Sequence, residues 1–160
     1  MSLISKSQFC RLCCQQETLE RWLEQYTLPL LCTPAPEGKW NALEQAAHLT
    51  CYQIAFLKRI QRILEEVEPG LPRYVAEEDE LFEQLRSEAP ESLLHRLRKD
   101  RKNLVDLLVS VPADGHLRRA RHPVYGLLDL TEWTEMFLLH EAHHLLRFFF
   151  LMHRHETADL

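Results

Sequence analysis

The stretch FLLHEAHHLLRFFFLMHRH, residues 137 to 155, concentrates the residues best suited to chemistry, with HEAHH at its centre. In a helix turning about 100° per residue, His140 and His144 lie about 40° apart on one face, so both imidazoles can reach a single metal ion. His143 lies on the other side of His140 and is a poorer partner. Trp133, Phe137, Phe148 and Leu151 flank the pair, which places it on an apolar wall. The letters also satisfy H-E-x-x-H, the zinc-protease signature in which the glutamate is the general base. Glu141 is therefore a candidate base. Because it stands about 100° around the helix from His140, a solvated helix carboxylate is the plainer expectation. Two histidines make a weak site, since catalytic zinc takes three protein ligands and keeps a fourth position open.

The competing readings differ in where the third ligand comes from. The extended protease motif requires glycine and histidine where this chain has Arg147 and Phe150. The form with a later glutamate needs a further helix, yet the residues after His144 continue the same one. A di-iron bundle needs carboxylates paired with histidines on several helices. Around His48 the corresponding positions hold Cys51 and Tyr52, and the third helix offers only His95 with Asp106 turns away. His48 remains as the upstream candidate. On a helical wheel the apolar arc of its helix is formed by Leu43, Leu49, Thr50, Ile54, Leu57, Ile60 and Leu64. His48 falls opposite that arc with Tyr52, Ala55 and Arg59, and so reads as a position outside the core. A ligand at the mouth of a cleft between the second and fourth helices can face that way, with Tyr52 and Arg59 lining the opening; a surface histidine is the bland alternative.

The elements that must position these residues are helices. Only four glycines occur among 160 residues, and no alternating strand pattern or Asn-Gly or Asp-Gly hairpin signal is present. The first helix is expected over residues 5 to 28, before Pro29. The second begins after Asn41, whose side chain forms a capping box with Glu44, and runs to about residue 67. The acidic segment EEDELFEQLRSEAP holds one short helix. A third helix spans residues 90 to 111, and a fourth opens with the capping box of Asp129 and Glu132 and reaches at least residue 153. Four long helices predict an all-α four-helix bundle in one domain spanning residues 1 to 160. Short links after the first and third helices favour antiparallel neighbours, while the longer stretch from 68 to 89 lets the second and third run parallel.

A net charge of −5 and a pI near 6.0 give no basic field for phosphate backbones, which argues against nucleic acid. No apolar run approaches the roughly 20 residues needed to cross a membrane, and no signal-peptide layout appears, so a cytoplasmic location is expected. Cys10, Cys13, Cys14, Cys32 and Cys51 then read as thiols. The C-x-x-C of Cys10 and Cys13 lies in a helical pattern without a second pair, so these cysteines are expected to pack half-buried against the core.

The segment GKWNALEQAAHL places a capped helix start after a G-K-W loop and a histidine eight residues after Trp40. With HEAHH in the last helix after HPVYGLLDL, it resembles the DinB-like superfamily of damage-inducible, YfiT-like metalloenzymes. The resemblance extends from about residue 20 to 150. It implies an up-down-down-up bundle in which His48, His140 and His144 bind one divalent cation, nickel or zinc above others. It also implies thiol-dependent transferases and isomerases among the relatives, alongside members of unassigned activity. The leading expectation is transfer to or from a small thiol, with a small-molecule thiol or electrophile as substrate and metal-dependent hydrolysis next. An ion held by three neutral imidazoles can lower the pKa of a water or hold a thiol as thiolate. Tyr52 and Arg59 join Glu141 as candidate catalytic residues. The rival from another class is a non-catalytic dimeric bundle serving stress or interaction.

Remaining features carry plainer readings. HRLRKDRK in the third helix reads as a solvated face, and it or Arg118, Arg119 and Arg121 can alternatively receive an anionic substrate. His153 and His155 suit the negative end of the last helix dipole. FFFLM at 148 to 152 is apolar all round; core packing covers one side, and a homodimer interface is the candidate cover for another.

Overall fold

In the computed structural model, which describes residues 3–35 and 38–153, four rods pack side by side. The first is built from α1 (Lys6–Cys14) and α2 (Glu17–Gln25), followed by the single turn α3 (Leu28–Leu31). The second is α4 (Ala42–Glu65). A crossing segment with a 3-10 turn (Ala76–Glu78) and α5 (Glu80–Leu85) leads to the third, α6 (Pro90–Ser110). After the short α7 (Ala113–His116), a hairpin of β1 (Arg119–His122) and β2 (Gly126–Asp129) delivers the chain to the fourth rod, α8 (Leu130–His153). His155 lies outside the described residues.

The starts of the rods follow from local chemistry. Asn41 accepts from the Glu44 amide at 2.9 Å while Glu44 accepts from the Asn41 amide at 2.8 Å. Asp129 and Glu132 do the same at 2.9 Å in both directions, and Ser5 with Gln8 forms a third box. Each satisfies donors that a helix leaves without partners. The first rod is interrupted at Gln15 and Gln16, where one helix was expected, although both keep right-handed helical dihedrals.

Side-chain partners fix the directions. Along α1 and α8, Gln8 donates to the Thr131 carbonyl, Arg11 pairs with Glu135, and Trp22 of α2 stacks on Phe148, so the first and last rods run parallel. Along α4 and α8, Gln45 meets His144, Tyr52 meets Phe137 and Arg59 lies over Trp133, an antiparallel pairing. Leu12 meets Arg101 whereas Glu20 and Glu24 meet Arg98, which sets the first and third rods antiparallel. The path is up, down, down, up.

A polar layer divides the core. One apolar cluster holds Leu19, Leu23, Ala46, Leu93, Leu97 and Phe148; the other holds Leu12, Phe56, Ile60, Leu104, Trp133 and Phe137. Between them Arg101 pairs with Glu141, donates from Nε to Gln53 Oε1 at 2.6 Å, and from Nη1 to the Leu12 carbonyl at 3.1 Å. Gln15 Nε2 donates to Glu141 Oε2 at 2.8 Å, and Gln53 Nε2 to the Leu97 carbonyl at 3.0 Å. Each rod contributes one member. The side chains of Arg101 and Glu141 are only 6% and 4% exposed.

Several expectations are corrected here. Arg101 belongs to the HRLRKDRK stretch expected to be solvated, yet it faces the interior because it has a buried carboxylate to meet; Arg98 and Lys102 keep the exposed face. Cys10 and Cys13 are exposed rather than half-buried, because the buried stripe of α1 is only Gln8 and Leu12; Cys14 and Cys32 are exposed as well, and Cys51 is buried. The hairpin had no sequence signal of the usual type. Its three-residue turn is closed by Gly126 at φ 77, a left-handed conformation that glycine adopts without strain. The crossing segment is tied to it: the Arg121 amide donates to the Pro69 carbonyl at 2.9 Å, and the Leu71 amide to the Arg121 carbonyl at 3.0 Å. Arg118 is spent on the end of α4, donating to the Ile63 and Glu66 carbonyls, and Arg119 pairs with Glu68. These arginines therefore do not form an anion site in the cleft. Phe148 is buried while Phe149 and Phe150 remain exposed.

Replacing Arg101 by Met leaves the Glu141 charge buried without its partner and should destabilise the fold by about 3–5 kcal/mol in urea unfolding. The double variant Arg101→Met, Glu141→Leu should regain most of that loss. Equal loss in both variants would show that the layer does not act as an ion pair.

Candidate metal centre

The N-terminal half of α4 is buried on every side: residues from Ala42 to Gln53 are all buried. One side packs on α6 and α5, and the other faces α8 across a cleft. His48 is only 4% exposed, which corrects the reading that put it outside the core. The wheel located the polar arc correctly but assumed water beyond it. Instead Trp40 and the crossing segment fold over that arc, with the His48 ring centre 4.7 Å from Trp40 and 5.7 Å from Tyr74.

Here the second and last rods bring three imidazoles together. His48 Nε2 lies 2.9 Å from His140 Nε2, and ring nitrogens of His48, His140 and His144 all lie within 4.8 Å of one another. The ring centres are 4.3 Å apart for His48 and His144 and 4.5 Å for His140 and His144. His144 Nδ1 is 2.7 Å from Gln45 Oε1. An amide oxygen only accepts, so this contact requires the proton on Nδ1 and leaves the His144 Nε2 lone pair free. His48 Nδ1 is buried without a hydrogen-bond partner among the described residues.

Burial disfavours the charged form of all three rings. It lowers the pKa of His48 to about 4 and that of His140 to about 3, and in His140 the neighbouring His48 adds to the effect. The His144 pKa is lowered in the same way, to about 2. Three imidazoles uncharged at neutral pH with converging nitrogens are the donor set that a divalent ion of the zinc or nickel type accepts, so the residues fit such an ion.

The cluster forms one end of a cleft of about 1020 Å³, whose walls include Trp40, Tyr52, Arg59, Tyr74, Met136 and Leu139. Tyr52 stacks on His140 with ring centres 3.8 Å apart. Arg59 donates to Tyr52 Oη at 3.3 Å and to the Pro72 carbonyl at 2.8 Å. Tyr52 and Arg59 thus line the opening, as their position on the wheel suggested.

Glu141 is a correction. It is neither a solvated carboxylate nor a cleft residue, because its oxygens are bonded to Arg101 and Gln15 in the polar layer. His143 meets His144 edge-on and lies outside the cluster. Sequence reasoning missed Gln45 and Tyr74. Gln45 had a signal, standing one turn before His48 on the same face of α4; Tyr74, on an irregular segment, had none.

A profile of the DinB superfamily matches residues 14–147 of the sequence. No curated protein matches it. Among solved structures, that of YfiT from Bacillus subtilis, described as a probable metal-dependent hydrolase with an unusual four-helix bundle topology, has a TM-score of 0.81. It covers 96% of this chain and 90% of that chain at 21% identity, a likeness of fold.

A histidine whose pKa is lower folded than unfolded stabilises the fold fully above its unfolded value, and that contribution is lost as pH falls toward the folded one. Chelator-treated protein should therefore lose stability from about pH 6.5 down to pH 4, with on the order of 3 kcal/mol from His48 alone. Thermal melts of His48→Leu should show a flatter pH dependence over that window, and an unchanged slope would contradict the burial argument.

Proposed function

This chain belongs to the DinB superfamily, and from that membership we propose that it is a metal-dependent enzyme in which His48, His140 and His144 hold one divalent cation. The observation that carries the reading is the convergence of three uncharged imidazoles from two rods at the head of a cleft. Zinc and nickel are the ions of choice, because borderline cations prefer imidazole nitrogen and no cysteine or carboxylate joins the described cluster. Bound there, the ion supplies Lewis acidity that favours the deprotonated form of a nucleophile at neutral pH.

The chain's own residues do the rest. Gln45 holds the His144 tautomer, the Arg101–Glu141 layer holds α4 and α8 in register, and Trp40, Tyr52 and Tyr74 cover His48 while His140 and His144 stay half-buried at the cleft. The proposed reaction is transfer to or from a small thiol. The carboxylates of the α8 wall are committed, Glu135 to Arg11 and Glu132 to the Asp129 amide, and Glu141 faces away. None of these three stands ready to take a proton from water. A thiol loses its proton near pH 8.5 and needs that help less. Hydrolysis is the second reading, favoured by the description of the YfiT structure.

Protein purified without a histidine tag should carry about one zinc or nickel per chain by elemental analysis. His48→Ala and His140→Ala should lose it, and Gln45→Ala should weaken it by about 10–100-fold. Absence of stoichiometric metal after supplementation with both ions would sink the proposal. With metal bound, a panel of thiols with electrophiles, run beside ester and amide substrates, separates transfer from hydrolysis.

A further inference from the structure

Beyond the metal cluster, the cleft contains a half-buried arginine, Arg59, that no carboxylate pairs among the described residues. Arg59 stands on α4 two turns beyond Tyr52, and its guanidinium lies over the Tyr52 and Trp133 rings, 5.6 and 5.5 Å from their centres. Its hydrogen bonds go to a phenol oxygen and a backbone carbonyl, both neutral, and among the described residues no carboxylate pairs with it. Among the described residues Arg11, Arg62, Arg86, Arg96, Arg98, Arg101 and Arg119 each meet a glutamate, whereas Arg59, like Arg73 on the rim of the same cleft, does not. Glu135 and Glu132, on the wall opposite, are held by Arg11 and the Asp129 amide, and Glu77 stands exposed on the rim. A guanidinium carries five N–H donors in a planar fork, so part of the fork remains for a ligand.

We infer that Arg59 is the anchor for a carboxylate on the substrate, so that this cleft takes small molecules whose anionic end is separated from the reacting group by a short linker. That the reacting group sits at the histidine cluster rests on the function proposed above. The separation follows from the geometry. With Arg59 Cζ 5.6 Å from the Tyr52 ring centre and that ring 3.8 Å from His140, the guanidinium lies less than about 10 Å from the His140 ring. A linker of a few carbon atoms bridges this, over the apolar floor of Met136 and Leu139. A monoanion suits the site better than a dianionic phosphate. The Arg59 fork is already partly committed, Arg73 stands exposed on the rim, and three carboxylates share the cleft.

The test follows the Arg59 Nε–H resonance in isotope-labelled protein, with and without one equivalent of zinc, assigned by its loss in Arg59→Lys. The probes are 3-mercaptopropionate, its amide, and 2-mercaptoethyl phosphate. The carboxylate should shift the resonance saturably and bind at least about 10-fold more tightly than the amide, the usual worth of a charge-assisted pair. Arg59→Gln should lose that preference while retaining its helical spectrum and zinc stoichiometry, and Arg59→Lys should retain part of it. The inference is overturned if the carboxylate leaves the resonance unmoved, if Arg59→Gln keeps the preference, or if the phosphate binds more tightly. A carboxylate-dependent shift in protein that takes up no zinc would uphold the anchor and remove the metal reading. Stoichiometric zinc with an unresponsive Arg59 would do the reverse.

Discussion

The buried pair of Arg101 and Glu141, with Gln15 and Gln53 closing around it, sets the register of the bundle. Hydrophobic burial alone tolerates a slip of one helical turn, since leucine meets leucine equally well a few ångströms along. A buried charge does not: moving any rod past its partners leaves Arg101 or Glu141 without its counter-ion, at a cost of about 3–5 kcal/mol. The apolar clusters above and below supply the driving force, and the layer between them decides which of the near-equivalent packings is adopted.

That decision reaches the histidines through chain geometry. Glu141 adjoins His140, and Gln53 lies little more than a turn beyond His48 on α4. Once Gln53 and Glu141 meet the same guanidinium, the opposite faces of α4 and α8 are fixed within ångströms of each other, and the imidazoles they carry must converge. The aromatic cover of Trp40 and Tyr74 then lowers the local polarity enough to hold the rings uncharged. Register, burial and ligand protonation are successive consequences of one another.

HEAHH divides its labour accordingly. His140 and His144 face the cleft, and Glu141, about 100° around the helix, faces the interior. In a protease of the H-E-x-x-H type that glutamate serves the metal; here it serves the fold, while the cleft keeps toward its far end an arginine that no carboxylate pairs among the described residues. A five-letter match therefore carried two histidines that join the cluster and one glutamate that does not, and only the partners of each side chain tell them apart.

By itself the amino-acid sequence determined the rods, their capping boxes, the all-α class and the placing of His140 and His144 on one helical face. Helical periodicity and Asn41–Glu44 or Asp129–Glu132 pairing are local, and they act before any long-range contact forms. It could not determine which side of α4 meets water. His48 looked peripheral because a wheel sees one helix, whereas the cover over it comes from Trp40 and from an irregular segment around Tyr74 that has no periodicity to read. Nor could it assign Arg101 and Glu141, forty positions apart, to each other, or tell that the hairpin would draw the crossing segment over the cleft. Those facts were settled by tertiary packing, because the burial of a polar group depends on distant partners that compensate its desolvation, and no local pattern encodes where those partners will stand.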